Sequence, residues 1–380
     1  MTIQTDMTSN TFRDPGFRRA TARRISVWLA LAVLSAALAW ALELVHLPAA
    51  LLLGPMIAAI VMAATGATGG SGPFHVMAIP RPLFGIAQSA IGVMIATTIP
   101  PETLRDIQQN WQVFLFGVVS VIIVSTTLGY LLAIRQVLPG ATAIWGSTPG
   151  AAQAMVFLAE AHGSDMRLVA VMQYLRVGLV AAGASLVARF WVGAPEVAPA
   201  AIVWFPPLET GVLHTMGLML LGVGVTRVLR IPAGEFLVPL LVGAAAQGLG
   251  LVHPAVPPWL LVIAFALCGW MIGLRFTREI LVHAWKALPR LVMSIIVLMT
   301  LCGALAALLS WWLGIDPLTA YLATSPGGAD SVAVIAASSN VDMAFVMSMQ
   351  TLRFILVLIS GPIVSRWFAR RLAARNANPA

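Results

Sequence analysis

Thr148-Pro149-Gly150-Ala151-Ala152-Gln153, followed by Asp165-Met166-Arg167 and then Met172-Gln173-Tyr174-Leu175-Arg176, is written twice in this chain. Moving along by 177 positions places Pro149, Gly150, Ala152, Asp165, Met166, Met172, Gln173, Leu175 and Arg176 on Pro326, Gly327, Ala329, Asp342, Met343, Met349, Gln350, Leu352 and Arg353. With Ala159 on Ala336 and Val169 on Val346, 11 of 29 positions are identical, where ordinary residue frequencies give roughly two. A match of that density at one fixed offset is an internal duplication.

Around the repeated stretch the chain is oily. Hydrophobic residues make up 59% of it and charged residues 9%, against roughly 25% charged in an average soluble domain. Apolar runs repeatedly reach the ~20 residues a membrane-spanning helix needs. The expectation is an all-α integral membrane protein. Twenty-two basic against fourteen acidic residues would point to nucleic acid in a soluble chain, but the cations stand mostly at the ends of apolar runs, where membrane topology accounts for them. No direct nucleic-acid partner is indicated; the partner implied is the lipid bilayer. Cys268 and Cys302 lie inside apolar segments, and the six histidines show no paired ligand spacing, so no metal site is indicated.

Residues 1–24 are polar and carry Arg13, Arg18, Arg19, Arg23 and Arg24. The apolar run that follows is too long for a signal-peptide core and reads as an uncleaved first helix. Spans are expected near 25–44, 48–66, 82–99, 111–134 and 165–191, with the motif before the last. The segment 192–211, with four prolines and no Lys or Arg, reads as a linker. The order then repeats at 212–228, 232–251, 258–274, 291–313 and 342–368. Two membrane repeats, 25–191 and 212–368, are thus flanked by tails at 1–24 and 369–380, with about ten transmembrane helices in all. Weaker echoes pair Pro48 and Pro55 with Pro232 and Pro239, and Gly92 with Gly269.

Five crossings per half would invert the second copy; six would not. With a re-entrant or broken-helix motif and five crossings, the N-terminal arginines, Arg81, Arg135, Arg167, Arg227, Arg230, the group from Arg275 to Arg290 and the C-terminal arginines share one side. By the positive-inside rule that side is the cytoplasm, with both termini there. Six crossings per half would bring the linker, which carries no Lys or Arg, inside, so inverted five-helix repeats in a bacterial inner (plasma) membrane are preferred.

Pro149-Gly150 and Pro326-Gly327-Gly328 break a helix, because Pro lacks a donor and Gly admits unusual backbone angles. In lipid a broken backbone persists only when buried in protein or lining a wet cavity. Its free N–H groups suit an anion; the alternative is a plain kink or a tight helix contact. Asp165 and Asp342 read as helix N-caps. Asp330, opposite Gln153 in the first copy, is open between a cation or proton site and a first-turn acid. Arg176 and Arg353 stand 11 residues after their aspartates, about three turns and ~16 Å deeper, which places both guanidiniums near the midplane of a ~30 Å core. Such a residue either serves a ligand or bonds the carbonyls of the broken motif. Inversion brings the two cations together, each beside Gln173 or Gln350, and two buried cations favour an anion between them.

The doubled Pro-Gly motif with Asp-Met and Met-Gln-x-Leu-Arg resembles the membrane AbrB duplication family over about residues 25–370. Gln88 and Gly92 fit that family's Gln-x3-Gly, with Phe265 at the matching second-half position. The resemblance implies a bacterial membrane protein whose members are labelled ammonia monooxygenases or AbrB-type regulators of gene expression. The residues supply no ligand cluster for metal or flavin, so no cofactor and no catalytic residue are expected, and no polar β-rich DNA-binding module is present. The first reading is a transporter or exporter of a small anionic compound, the second a membrane sensor acting on gene expression indirectly, the third a membrane monooxygenase. The residues assigned to the substrate are Pro149, Gly150, Gln153, Gln173, Arg176, Pro326, Gly327, Gly328, Asp330, Gln350 and Arg353.

Overall fold

Apolar runs bounded by Pro, Gly and charge form helices, since in lipid each backbone polar group must be satisfied within its own segment. The computed structural model describes residues 15–44, 49–65, 79–99, 111–138, 141–150, 152–192, 209–231, 233–328, 332, 336 and 341–377. Every regular element among them is helical. In order they are α1 (Pro15–Leu44), α2 (Ala50–Ala64), α3 (Arg81–Thr97), α4 (Trp111–Ile134), α5 (Thr142–Ser147), α6 (Ala152–Ala161), α7 (Met166–Val192), α8 (Thr210–Leu229), α9 (Gly234–Gly248), α10 (Pro258–Gly273), α11 (Arg278–Leu313), α12 (Pro317–Thr324) and α13 (Met343–Ala377).

Six of these, α1, α4, α7, α8, α11 and α13, contain stretches long and apolar enough to cross a membrane. This is the architecture of a membrane protein. Helices α2, α3, α9 and α10 fall at the other expected positions with 15, 17, 15 and 16 residues, below the usual ~20. Helix α11 departs from expectation in the other direction. It starts at Arg278 instead of about 291 and runs for 36 residues, about 54 Å. Its first turns carry Arg278, Glu279, Lys286 and Arg290, charges that interrupt the apolar pattern without interrupting the helix. Most of the expected linker, 192–211, lies outside the described residues, as do 1–14 and 378–380, whereas 15–24 and 369–377 of the expected tails continue α1 and α13 as helix.

The chain forms two units: residues 1–84 with 265–278, and residues 85–264 with 279–380. In the first, Gly54 of α2 meets the backbone of α1, where an added Cβ would collide with the nitrogen of Ala39. Small residues permit this kind of close approach in membranes. Leu31, Ala58, Ala59 and Met62 form the core beside Trp270, whose indole donates to Ser35 Oγ at 2.9 Å. Gly269 of α10 faces α2, and a Cβ there would meet the Leu52 carbonyl oxygen at 2.7 Å.

The second unit contains the counterpart of that last contact. Gly92 of α3 faces α9, and its Cβ would meet the Phe236 carbonyl oxygen at 2.5 Å and Pro239 at 3.1 Å. Helix α3 therefore packs on the proline-bearing α9, and α10 on the proline-bearing α2. Ala49 and Ala233, preceding α2 and α9, both adopt left-handed backbone angles, φ 61° and 52°, an uncommon state for a residue with a Cβ. Phe114, Val118, Leu309, Leu322, Val346 and Met349 belong to one buried cluster of this unit, where Gly117 of α4 receives the Met349 methyl.

Candidate functional site

Proline makes the site possible by removing a donor. Helix α5 is buried throughout and is capped at its C-terminal end by Thr148, whose hydroxyl donates to the Ile144 carbonyl at 2.7 Å. The next residue, Pro149, has no N–H, so the carbonyl of Trp145, four residues back, loses its helical partner. Gln173 on α7 replaces that partner. Its Nε2 donates to Trp145 O at 2.7 Å and to Thr148 O at 3.0 Å. One turn on, Arg176 donates from Nη1 to Ser147 O at 2.9 Å and from Nη2 to Gln173 Oε1 at 2.6 Å. Helix resumes at α6 after the interruption.

The second copy repeats the arrangement. Pro326 strips the donor from Leu322 O, and Gln350 Nε2 supplies one at 2.8 Å, with a longer bond of 3.4 Å to Ser325 O. Arg353 donates to Ser325 O, to Gly327 O at 3.1 Å and to Gln350 Oε1. Gln173, Arg176, Gln350 and Arg353 are 0%, 1%, 2% and 4% exposed. Of the two roles open to the arginines, bonding to carbonyls of the broken helices is what their Nη groups do.

A remainder is left over. The Nε–H of each arginine and the Ser325 hydroxyl are buried without a hydrogen-bond partner among the described residues. The two guanidiniums lie within electrostatic range of one another. No carboxylate among the described residues interacts electrostatically with either. Carbonyl dipoles satisfy N–H groups, but they do not cancel two like charges removed from water.

Each motif glycine packs against the helix that carries the other motif's arginine. A Cβ on Gly150 would stand 3.0 Å from Val357 Cγ1, and one on Gly327 3.0 Å from Val180 Cγ1. Val180 and Val357 are themselves 177 apart, each four residues past its arginine. Each motif glycine thus touches the last helix of the other copy, just beyond that copy's guanidinium. Pro149, Gly150, Pro326 and Gly327 are buried; Gly328 and Gln153, in the first turn of α6, are half-buried. Asp330 lies outside the described residues.

Asp165 and Asp342 cap α7 and α13 and do not join the arginines. Asp165 Oδ1 accepts from Arg167 N at 3.0 Å, and Asp342 Oδ1 accepts from Phe345 N at 2.9 Å. Burial pushes the Asp165 carboxyl up, but bonds from the Arg167 side chain and backbone and its charge outweigh this, leaving it below its ordinary value. The amide of each aspartate donates to a threonine hydroxyl, Thr142 at 3.4 Å and Thr319 at 3.2 Å. Reading the sequence alone passes over these threonines and the two valines, although the 177-residue offset relates each pair. Cys302, which the sequence marks only as a cysteine inside an apolar segment, lies within electrostatic range of both arginines. Among the described residues no group of three or more His, Cys, Asp or Glu could hold a metal ion.

Residues 73–369 match the family model described as "Transition state regulatory protein AbrB". An Escherichia coli (strain K12) protein named "Putative regulator AbrB" is 44% identical over 351 residues, covering 92% of this chain and 99% of the relative. A Bacillus subtilis (strain 168) protein, "Uncharacterized protein YhjN", is 25% identical over 301 residues, covering 74% and 77%.

Proposed function

We propose that this chain, which belongs to the AbrB family, is a membrane carrier for a small anionic compound, bound where its two Pro-Gly motifs meet. One observation carries the reading. Arg176 and Arg353 are buried within electrostatic range of each other, each with an unused Nε–H and no carboxylate partner among the described residues. An anion between them would offset their repulsion and take up the spare donors, and its charge is worth most in a water-poor site.

The carrier comprises two inverted five-helix halves in an inner (plasma) membrane, with both termini in the cytoplasm. The equivalent Gln-Arg bonds, the crossed Gly92 and Gly269 contacts and the paired Gly-Val contacts support the repeat. The charge pattern of the loops supports its inversion. Broken helices at a repeat interface suit alternating access, because the bonds that cross each break come from side chains and can re-form. The compound is small and carries at least one carboxylate-like group, a form that matches planar guanidinium donors.

Flux decides the matter. In proteoliposomes, saturable uptake or counterflow of small labelled carboxylates is expected, and replacement of Arg353 by Gln is expected to abolish it. The relative's name favours a second reading, in which a bound anion changes gene expression through a cytoplasmic partner; it expects anion binding and partner capture without flux.

A further inference from the structure

Between α4 and α11, within the second unit, the structure holds a cavity built from residues other than those of the Pro-Gly motifs. A cavity of about 560 Å³ opens there, lined by Leu128 and Leu132 of α4, Met293 and Val297 of α11, and the guanidinium-bearing residues Arg135 and Arg290. The apolar residues belong to the membrane-crossing stretches of both helices. The arginines mark where those stretches end. Arg135 directly follows the last residue of α4, and Arg290 closes the charged part of α11, immediately before the apolar run from Leu291. Both are exposed, and neither has an ion-pair partner among the described residues.

Cavity and charges together have the form of a lipid. A slot with hydrocarbon-lined walls and two cations at its water-lipid border pairs one region suited to an acyl chain with another suited to a phosphodiester. Basic pockets between transmembrane helices recognise anionic headgroups in this way, and guanidinium forks match phosphate oxygens better than ammonium groups do. Pro289, also in the lining, leaves one carbonyl of α11 without its helical donor, a polar feature at the same border.

We propose that the α4–α11 cavity seats one anionic phospholipid, its phosphodiester held between Arg135 and Arg290 and an acyl chain lying along Leu128, Leu132, Met293 and Val297. The lipid would fill a gap between two long helices and fix their spacing. This inference is independent of the carrier reading, since it uses none of the residues of the Pro-Gly site.

The test uses the purified full-length protein with phosphatidylglycerol or phosphatidylcholine of identical acyl chains, read by thermal unfolding and by lipid retained in native mass spectrometry. The wild type is expected to retain phosphatidylglycerol and to melt higher with it than with phosphatidylcholine. The double variant R135Q/R290Q is expected to lose most of both effects. Ser294 of α11 also lines the cavity, and Ser294→Trp, which fills it while keeping both arginines, is expected to lose them too. Equal behaviour of the two lipids on the wild type, or a preference surviving in R135Q/R290Q, would overturn the proposal. So would a preference surviving in Ser294→Trp, because the arginines would then attract lipid without a seat. Equal stabilisation by glycerol 3-phosphate would also overturn it, by showing that the headgroup needs no acyl chain.

Discussion

Gln173 donates to the one carbonyl, that of Trp145, which Pro149 leaves without a helical donor. The same relation holds between Gln350 and Pro326. A side chain on a neighbouring helix thus substitutes for a missing main-chain N–H, and the arginine one turn later completes the repair.

Truncating that glutamine should therefore cost more than one hydrogen bond. Gln173→Leu leaves a buried carbonyl and an Arg176 donor unsatisfied, an expected loss of about 1–3 kcal/mol. Restoring the main-chain donor with Pro149→Ala in the same chain should return part of the loss. Denaturant unfolding of both single variants and the double variant in detergent checks this, and additive losses would show that the two residues are not coupled.

The helices were legible in the sequence because bilayer thickness dictates a length of apolar run, and the candidate site because it is written twice. What Gln173 and Arg176 bond to was not settled there: a carbonyl freed by a proline has no sequence signature of its own, and only the fold brings α7 beside it. The crossed contacts of Gly92 and Gly269 were visible merely as an echo at one offset, since a close approach between helices far apart in the chain leaves a glycine and nothing else to read. The charged start of α11 was missed because Arg278, Lys286 and Arg290 interrupt the apolar pattern without interrupting the helix.

Those glycines supply a second test. Gly92→Val and Gly269→Val each push a side chain against a backbone carbonyl of the facing helix, and each should destabilise by about 1–3 kcal/mol or more. Gly178→Ala on α7, which meets nothing within 4 Å, should instead be neutral or stabilising by up to about 1 kcal/mol. Melting temperatures of the three variants in one detergent distinguish packing from propensity.

The capping aspartate predicts an acid response. The Asp165 carboxyl titrates below its usual value in the folded protein, so its contribution is complete above the unfolded-state value and disappears as pH falls through the folded one. Asp165→Asn keeps a cap acceptor but loses the ion pair with Arg167, which at 25% and 21% side-chain exposure is worth no more than about 1 kcal/mol. Asp165→Ala loses the cap as well, about 0.5–2 kcal/mol. Thermal unfolding near neutrality should rank wild type above Asn above Ala, and the gap between wild type and Asn should close below the usual carboxylate range.

Arg176 and Arg353 carry the central claim, that two buried guanidiniums share one small anion. The direct measurement is thermal stabilisation of the purified protein across a panel of small organic anions, repeated on R176Q/R353Q and on R176K/R353K. At least one carboxylate should stabilise the wild type in a saturable manner, bind the lysine variant at least ~10-fold more weakly, a difference of about 1.4 kcal/mol, and leave the glutamine variant unmoved. A folded R176Q/R353Q protein stabilised by the same anion over the same concentration range would contradict the account.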